Sequence, residues 1–182
     1  QTIEQLASTM EYPGRFLVLG NTQEQLVAVY GVTARSTTYP LKRYVFNFKT
    51  NSIHVQPLDM EEWKATDTEF LDYTAVHFFE NGIVIGNGRQ TDVVTTLHDT
   101  AINVLNTQLA QQIYEEDKYH TPRITGSIVN HDDKWTHALH IIRDDGTGMA
   151  SREGFELDVL PEQYHFISTY AGANARPAPS VV

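Results

Sequence analysis

Six basic side chains stand beside turns or at the ends of expected strands: Arg15, Arg35, Lys42, Arg43, Arg89 and Arg123. Arginines at the loop mouths of a rigid scaffold can hold a phosphate through paired hydrogen bonds. Each of these residues taken alone is more typical of an exposed or ion-paired position. The pattern therefore permits a site for one small anion without requiring it.

Other groups that could do chemistry give weaker signals. His137 and His140 fall in an expected strand, where a spacing of three places them on opposite faces, so they indicate two ordinary strand histidines. The run His131-Asp132-Asp133 is typical of a solvated turn, and Glu115-Glu116-Asp117 of a solvated acidic segment. Gly86-Asn87-Gly88 is too short to indicate a phosphate loop by itself. We expect no metal and no cofactor.

Composition narrows the classes of protein that this chain can represent. Its 182 residues include 13 Lys and Arg against 23 Asp and Glu, a net charge of −10, and no cysteine. This acidity argues against binding duplex nucleic acid, and no apolar run reaches the roughly 18 residues that cross a membrane. Without cysteine there is no thiolate nucleophile and no disulfide. We expect a cytoplasmic protein, although Gln1 in place of Met leaves open that a leading segment was removed.

The elements that must position these side chains are mainly strands. Apolar or alternating runs between turn residues predict strands at 16–20, 25–32, 44–48, 53–58, 73–79, 83–85, 124–129, 135–142, 155–160 and 164–170. The pair Asn81-Gly82 predicts a hairpin. Short loops between successive strands favour antiparallel pairing, so the expected class is α+β and not a doubly wound parallel sheet.

One segment has the spacing of a long helix, with apolar side chains at every fourth position: Leu97, Ala101, Leu105, Leu109 and Ile113. We expect this helix, or two consecutive ones, to begin at an N-cap of Thr91 or Asp92 and to end near 115–117, ahead of Pro122. Asp59 to Ala65 is a second, shorter candidate, with Asp59 as N-cap. We interpret the chain as one domain (1–182) with an N-terminal lead-in (1–11), a core (12–170) and a loose tail (171–182).

A series of short motifs runs along the chain in a fixed order: Tyr12-Pro13-Gly14-Arg15, Thr33-Ala34-Arg35-Ser36, Pro40 with Lys42-Arg43, Tyr73, Asn87-Gly88-Arg89-Gln90-Thr91-Asp92, Tyr114-Glu115, Thr121-Pro122-Arg123-Ile124 and Ser168-Thr169-Tyr170. Each motif alone is weakly specific. Their order and gaps resemble those of the archaeal-type IMP cyclohydrolases and their bacterial relatives, over roughly Tyr12 to Tyr170.

The resemblance implies a four-layer αββα sandwich similar to that of the N-terminal-nucleophile hydrolases. It also implies the closure of 5-formamidoimidazole-4-carboxamide ribotide to inosine monophosphate, a nucleotide monophosphate as partner, and a homo-oligomer such as a tetramer. An N-terminal nucleophile does not fit, because the shared core should begin near Tyr12, so neither Gln1 nor Thr2 is placed to attack a substrate.

Site residues follow from the same resemblance. It implies that Tyr73 bonds the formyl oxygen or relays a proton, that Arg35 stabilises the oxyanion or grips the substrate, and that Glu115 accepts a proton from the carboxamide nitrogen or orients it. The implied substrate-binding and phosphate-binding residues are Arg15, Lys42, Arg43, Asn87, Gly88, Arg89, Thr91, Asp92 and Arg123. The spacing leaves open whether Lys42 or Arg43 takes the basic role.

Two other classes of function stay open on the sequence. One is a nucleotide-binding or sensor module that has kept the pocket without turnover, although such a module would need the arginines but not the tyrosine and the glutamate. The other is an amide hydrolase of the same sandwich architecture, which the lack of a Cys, Ser or Thr nucleophile near the start of the core disfavours.

Overall fold

The computed structural model describes residues 3–33, 41–59, 72–158, 160–171 and 180–181. Within these ranges the helices are α1 (Ile3–Thr9), α2 (Gln90–Val93) and α3 (Ala101–Gln108). The strands are β1 (Arg15–Asn21), β2 (Leu26–Val32), β3 (Lys42–Asn47), β4 (Ser52–Pro57), β5 (Tyr73–Phe79), β6 (Gly82–Gly86), β7 (Arg123–His131), β8 (Lys134–Asp144), β9 (Ala150–Leu157), β10 (Gln163–Ser168) and β11 (Ser180–Val181).

The strands form two antiparallel sheets. One has four strands in the order β11-β10-β1-β2, and the other has seven strands that follow one another in chain order from β3 to β9. Every neighbouring pair in both sheets is antiparallel. This arrangement agrees with the α+β class and the hairpin order expected from the short loops.

The alternation of side chains along β8 divides the core into two parts. Leu139 and Ile141 face the four-stranded sheet, where they join Leu17, Leu19 and Ile167. Ala138 and Ile142 face the other way and pack with Leu105 and other buried residues of the α3 region. The seven-stranded sheet therefore lies between the four-stranded sheet and a helical layer.

The helical segment forms two consecutive helices, one of the two arrangements expected, but their bounds differ from the predicted start at Thr91 or Asp92 and the predicted end near residue 115. Arg89, not Thr91 or Asp92, is the N-cap of α2, and residues 94–100 are non-helical before α3 begins. The β-branched run 93–96 disfavours a helix. The Gln108 side chain completes this break, since it accepts from the Thr95 N–H and donates to the Thr96 carbonyl. Two separate helices form, and Ile113 lies beyond the second, exposed.

The predicted hairpin is confirmed, but its turn lies one residue earlier than the Asn-Gly pair. Phe79 pairs with Gly82, so Glu80 and Asn81 are the two loop residues. The Asn81 side chain donates to the carbonyls of Leu97 and Asn130, which anchors the loop against both neighbouring segments. Gly82 belongs to β6, where a side chain would overlap the Ile128 carbonyl oxygen.

Smaller differences concern the ends of the chain and one strand. Residues 3–9 of the N-terminal lead-in form a short helix. β9 starts at Ala150, five residues before the predicted 155–160 strand, because Ala150 already pairs with Asp144, the last residue of β8. Ser180–Val181 is extended and paired with β10 rather than loose.

Beyond Asp59, the short helix expected at 59–65 lies outside the described residues. Among the described helices, none has the length and apolar character to cross a membrane.

Candidate functional site

The antiparallel order brings the first residues of several strands to one end of the sandwich. Lys42, Tyr73 and Arg123 each open a strand of the seven-stranded sheet, and β6 ends beside them at the Gly86-Asn87-Gly88 turn. Arg15 opens β1 on the facing sheet. Side chains from residues more than a hundred positions apart therefore converge there, in a group that we call the charged cluster: Arg15, Lys42, Tyr73, Glu115 and Arg123.

The centre of the charged cluster is a buried ion pair between Arg15 and Glu115. The two guanidinium Nη atoms each donate to one carboxylate oxygen at 2.6 Å, and Arg15 Nη1 also donates to the Asn87 carbonyl at 2.8 Å. The side chains of Arg15 and Glu115 are 14% and 2% exposed. Burial disfavours the charged guanidinium, but the Glu115 carboxylate and the nearby Tyr73 raise the pKa of Arg15 well above its ordinary value.

A network of amide groups holds the turn after β6. The Asn87 side chain is fully buried, where it donates to the Pro122 carbonyl and accepts from the Ile124 N–H and from Gln90 Nε2. Gln90 Oε1 in turn accepts from Arg123 Nη1 at 3.0 Å, and Arg123 Nε donates to the Ile113 carbonyl. Asn87 therefore positions the turn with bonds inside the protein. Gly88 fits closely here, since a Cβ would lie 2.5 Å from Arg123 Nη1.

Two tyrosines and a lysine form the opposite side of the charged cluster. The hydroxyls of Tyr30 and Tyr73 are 2.5 Å apart, and Lys42 Nζ lies 5.7 Å from the centre of the Tyr73 ring. Burial, together with the charge of Arg15, lowers the pKa of Lys42 to about 8. Burial raises the pKa of Tyr73 to about 12, although Arg15 opposes this shift. Burial also lowers the pKa of Arg123.

Other residues implied by the resemblance lie outside the charged cluster. Arg43 is exposed on the face of β3 opposite to Lys42, and Asp92 is exposed on α2. Thr91 is buried, in a position where a Cβ on Gly86 would meet its hydroxyl. Arg89 is exposed but close enough to Arg123 to help lower its pKa. Arg35 lies outside the described residues.

Two residues of the site were not identified from the sequence. Tyr30 lies on the inner face of β2 with Leu26 and Ala28, where a tyrosine hydroxyl must find a buried partner, and this alternation was the available signal. Gln90 links Asn87 to Arg123. Its sequence position gives no comparable signal, because the link depends on where β7 begins.

The arrangement can bind an anion and offer hydrogen bonds to its polar groups. Arg15, Lys42 and Arg123 carry three positive charges when protonated, and Glu115 is the one carboxylate among them, so the charged cluster has a net charge of about +2. A phosphate monoester carries about −1.5 to −2 at neutral pH. The buried Tyr73 hydroxyl can donate to a carbonyl oxygen. Within the described ranges, no group of three or more His, Cys, Asp or Glu side chains is arranged to hold a metal ion.

Comparison with known proteins connects this geometry to one family. A family model described as IMP cyclohydrolase-like protein matches residues 12–180. Relatives named IMP cyclohydrolase include proteins of Methanosphaera stadtmanae (25% identical, covering 87% of this chain and 73% of the relative), Methanocaldococcus jannaschii (32%, covering 74% and 63%) and Methanococcus aeolicus (32%, covering 62% and 56%). The matches thus span between about half and three quarters of these relatives' own lengths.

Proposed function

The chain belongs to the IMP cyclohydrolase-like family, and from this premise we propose that it closes 5-formamidoimidazole-4-carboxamide ribotide to inosine monophosphate. In this reaction the carboxamide nitrogen attacks the formyl carbon of the same molecule, and a new C–N bond forms. The formyl oxygen leaves as water, with one hydrogen from the carboxamide nitrogen and one from the formamido nitrogen. The names of the relatives support this assignment.

This reaction does not require the protein to form a covalent bond to the substrate. Because nucleophile and electrophile share one molecule, the site must hold a near-attack geometry, move protons and stabilise the oxyanion on the formyl oxygen. A chain without cysteine is equipped for these tasks, since tyrosine, carboxylate and guanidinium groups can perform all of them.

The observation that carries the proposal is the convergence of three cations on one end of the sandwich, with a buried tyrosine hydroxyl beside them. Their charge matches one nucleotide phosphate within a protein of net charge −10. In our account Lys42 and Arg123 bind the phosphate, with Arg89 at the rim. Arg15 is not assigned to the phosphate, because both of its Nη atoms already donate to Glu115.

The remaining roles concern the reacting atoms. Tyr73 donates to the formyl oxygen, and its raised pKa keeps the phenol protonated at neutral pH. Glu115, held in place by Arg15, accepts a hydrogen bond from the carboxamide N–H and so orients the carboxamide nitrogen. Arg35 keeps the role that the family implies for it, at the oxyanion. Asn87 and Gln90 position the Gly88 turn.

The direct test supplies the formamido ribotide to purified protein and follows inosine monophosphate by its ultraviolet absorbance. We expect turnover, and we expect Tyr73→Phe to lower kcat by about 100-fold, the usual scale for one proton-donating group, with nucleotide affinity within about twofold. Tyr164→Phe is the matched control, since Tyr164 is exposed on β10, and it should leave both quantities unchanged.

Binding without turnover by the wild-type protein would instead indicate a nucleotide-binding or sensor module. Equal kcat values for wild-type protein and Tyr73→Phe would remove Tyr73 from the mechanism. The two outcomes are separable, because affinity is measured by titration with inosine monophosphate in both proteins.

We also propose a fuller architecture than the described residues contain. The helical layer and the two stacked sheets support three layers of a single-domain αββα sandwich similar to the N-terminal-nucleophile hydrolases.

The exposed aromatic side chains of the β3 edge, Tyr44 and Phe46, support a homo-oligomer such as a tetramer. Light scattering during size-exclusion chromatography would test this, with a monomer mass of 20.6 kDa as the contradicting result.

A further inference from the structure

The two sheets are joined near the charged cluster by a hydrogen bond between tyrosines. Tyr30 extends inward from β2 and Tyr73 inward from β5, and their hydroxyl oxygens are 2.5 Å apart. The Tyr30 ring also packs edge-to-face against Tyr73 at 6.4 Å and against Tyr44 at 6.3 Å. Tyr30 is therefore held by its ring on two sides and by its hydroxyl at the tip.

The proposed role of Tyr73 indicates which hydroxyl donates. The two oxygens are 2.5 Å apart, and either hydroxyl can supply the hydrogen between them. A tyrosine hydroxyl has one hydrogen, so when Tyr73 donates to the formyl oxygen the hydrogen between the two tyrosines comes from Tyr30. Burial raises the pKa of both hydroxyls, so each keeps its hydrogen at neutral pH.

We propose that Tyr30 is a positioning residue for the cyclisation: by donating to the Tyr73 oxygen across the two sheets, it directs the hydrogen of Tyr73 toward the substrate. A hydroxyl that already accepts one hydrogen bond is also a stronger donor, because hydrogen bonds in a chain polarise one another. This inference rests on the proposed function for its kinetic consequence, while the hydrogen bond itself can be measured without turnover.

The kinetic test is a double-mutant cycle on kcat. We expect Tyr30→Phe, which keeps the ring and removes the hydroxyl, to lower kcat about tenfold and to change the dissociation constant for inosine monophosphate by less than twofold. In a Tyr73→Phe background the same change should have no further effect, because Tyr30 acts through the Tyr73 hydroxyl. Tyr164→Phe, a surface change, is the control. Independent, multiplicative effects of the two substitutions would overturn the proposal.

The second test does not depend on activity. Fluorotyrosine placed at position 73 titrates at a lower pH than tyrosine, and its fluorine NMR signal reports its ionisation. We expect Tyr30→Phe to raise the pKa of this label, since a donor to the phenolate is lost.

These readouts separate failure of the inference from failure of the proposed function. An unchanged label pKa in Tyr30→Phe would overturn the role of Tyr30 whether or not the protein turns over substrate. Absence of turnover by wild-type protein, with the expected label shift, would contradict the cyclohydrolase proposal and leave the hydrogen bond between Tyr30 and Tyr73 established.

Discussion

At the residue scale, two neighbouring basic residues show how the fold assigns different properties to similar side chains. Lys42 and Arg43 are adjacent on β3, so their side chains point to opposite faces of the sheet. Lys42 faces Tyr73 and the Arg15–Glu115 pair, and Arg43 is exposed. The sequence left open which of the two takes the basic role, and we propose Lys42 because it is the one that faces the charged cluster.

The pKa of Lys42 predicts a pH dependence for the enzyme. Its pKa of about 8 leaves the amine charged below that pH and neutral above it, so the attraction for a phosphate weakens as pH rises. We expect kcat/KM, which reports ionisations of the free enzyme, to fall by up to tenfold per pH unit above about pH 8. Initial rates measured from pH 6 to 10 test this.

Two variants identify the group that titrates. Lys42→Arg keeps a positive charge throughout this range, so the decline above pH 8 should disappear. Arg43→Gln, on the opposite face, should leave the profile unchanged. A decline that persists in Lys42→Arg would assign the ionisation to another residue.

At the element scale, β6 has closely packed glycines at both ends. Gly82 at its start lies against the Ile128 carbonyl, and Gly88, two residues beyond its end, lies against Arg123, Gln90 and Glu115. Both positions exclude a side chain, but only the second adjoins the charged cluster. The strand thus ends in a turn whose backbone can approach a bound ligand closely.

This difference predicts distinct effects for two alanine substitutions. Gly88→Ala should weaken binding of inosine monophosphate by about tenfold or more, because the added methyl group displaces Arg123 and Gln90. Gly82→Ala, the matched control, should lower the melting temperature while the folded protein binds nucleotide normally. Calorimetric titration and thermal melting measure the two effects. Normal affinity in Gly88→Ala would contradict the placement of the site.

The elements also show what could be predicted from the sequence. Strands and the β5–β6 hairpin were predictable because alternation and turn residues act locally. The sequence left open one helix or two, and the position of the break before α3 could not be predicted, because it depends on Gln108 bonding back to the backbone of Thr95 and Thr96. The Tyr30–Tyr73 bond likewise joins residues on different sheets, and only the packing of the sheets brings them together.

At the scale of the whole molecule, the sandwich buries histidines on both faces of β8. His137 lies between the two sheets near His165, and His140 lies beneath the helical layer, where its strand partner Gly154 contacts α3. Burial lowers the pKa of each to about 4, with smaller contributions from His165 and from Arg152 respectively. The sequence correctly treated both as strand histidines on opposite faces.

These histidines predict an acid-sensitive fold. Between about pH 6.5 and 4 they are protonated in the unfolded chain but neutral in the folded protein, so stability falls as pH decreases through this window. Each contributes about 1.4 kcal/mol per pH unit at most. Urea unfolding at several pH values measures this dependence. The free energy of unfolding of His137→Leu should change less steeply with pH than that of wild type, whereas exposed His98→Gln should show the same pH dependence as wild type. An unchanged slope in His137→Leu would contradict this explanation.

We propose that one end of the two-sheet sandwich binds the nucleotide and closes its ring. The most direct measurement is a crystal structure of the protein with bound inosine monophosphate. We expect the phosphate within hydrogen-bond distance of Lys42 and Arg123, and the newly closed purine ring within reach of the Tyr73 hydroxyl and the Glu115 carboxylate. A nucleotide bound elsewhere on the molecule, with the charged cluster empty, would contradict the account.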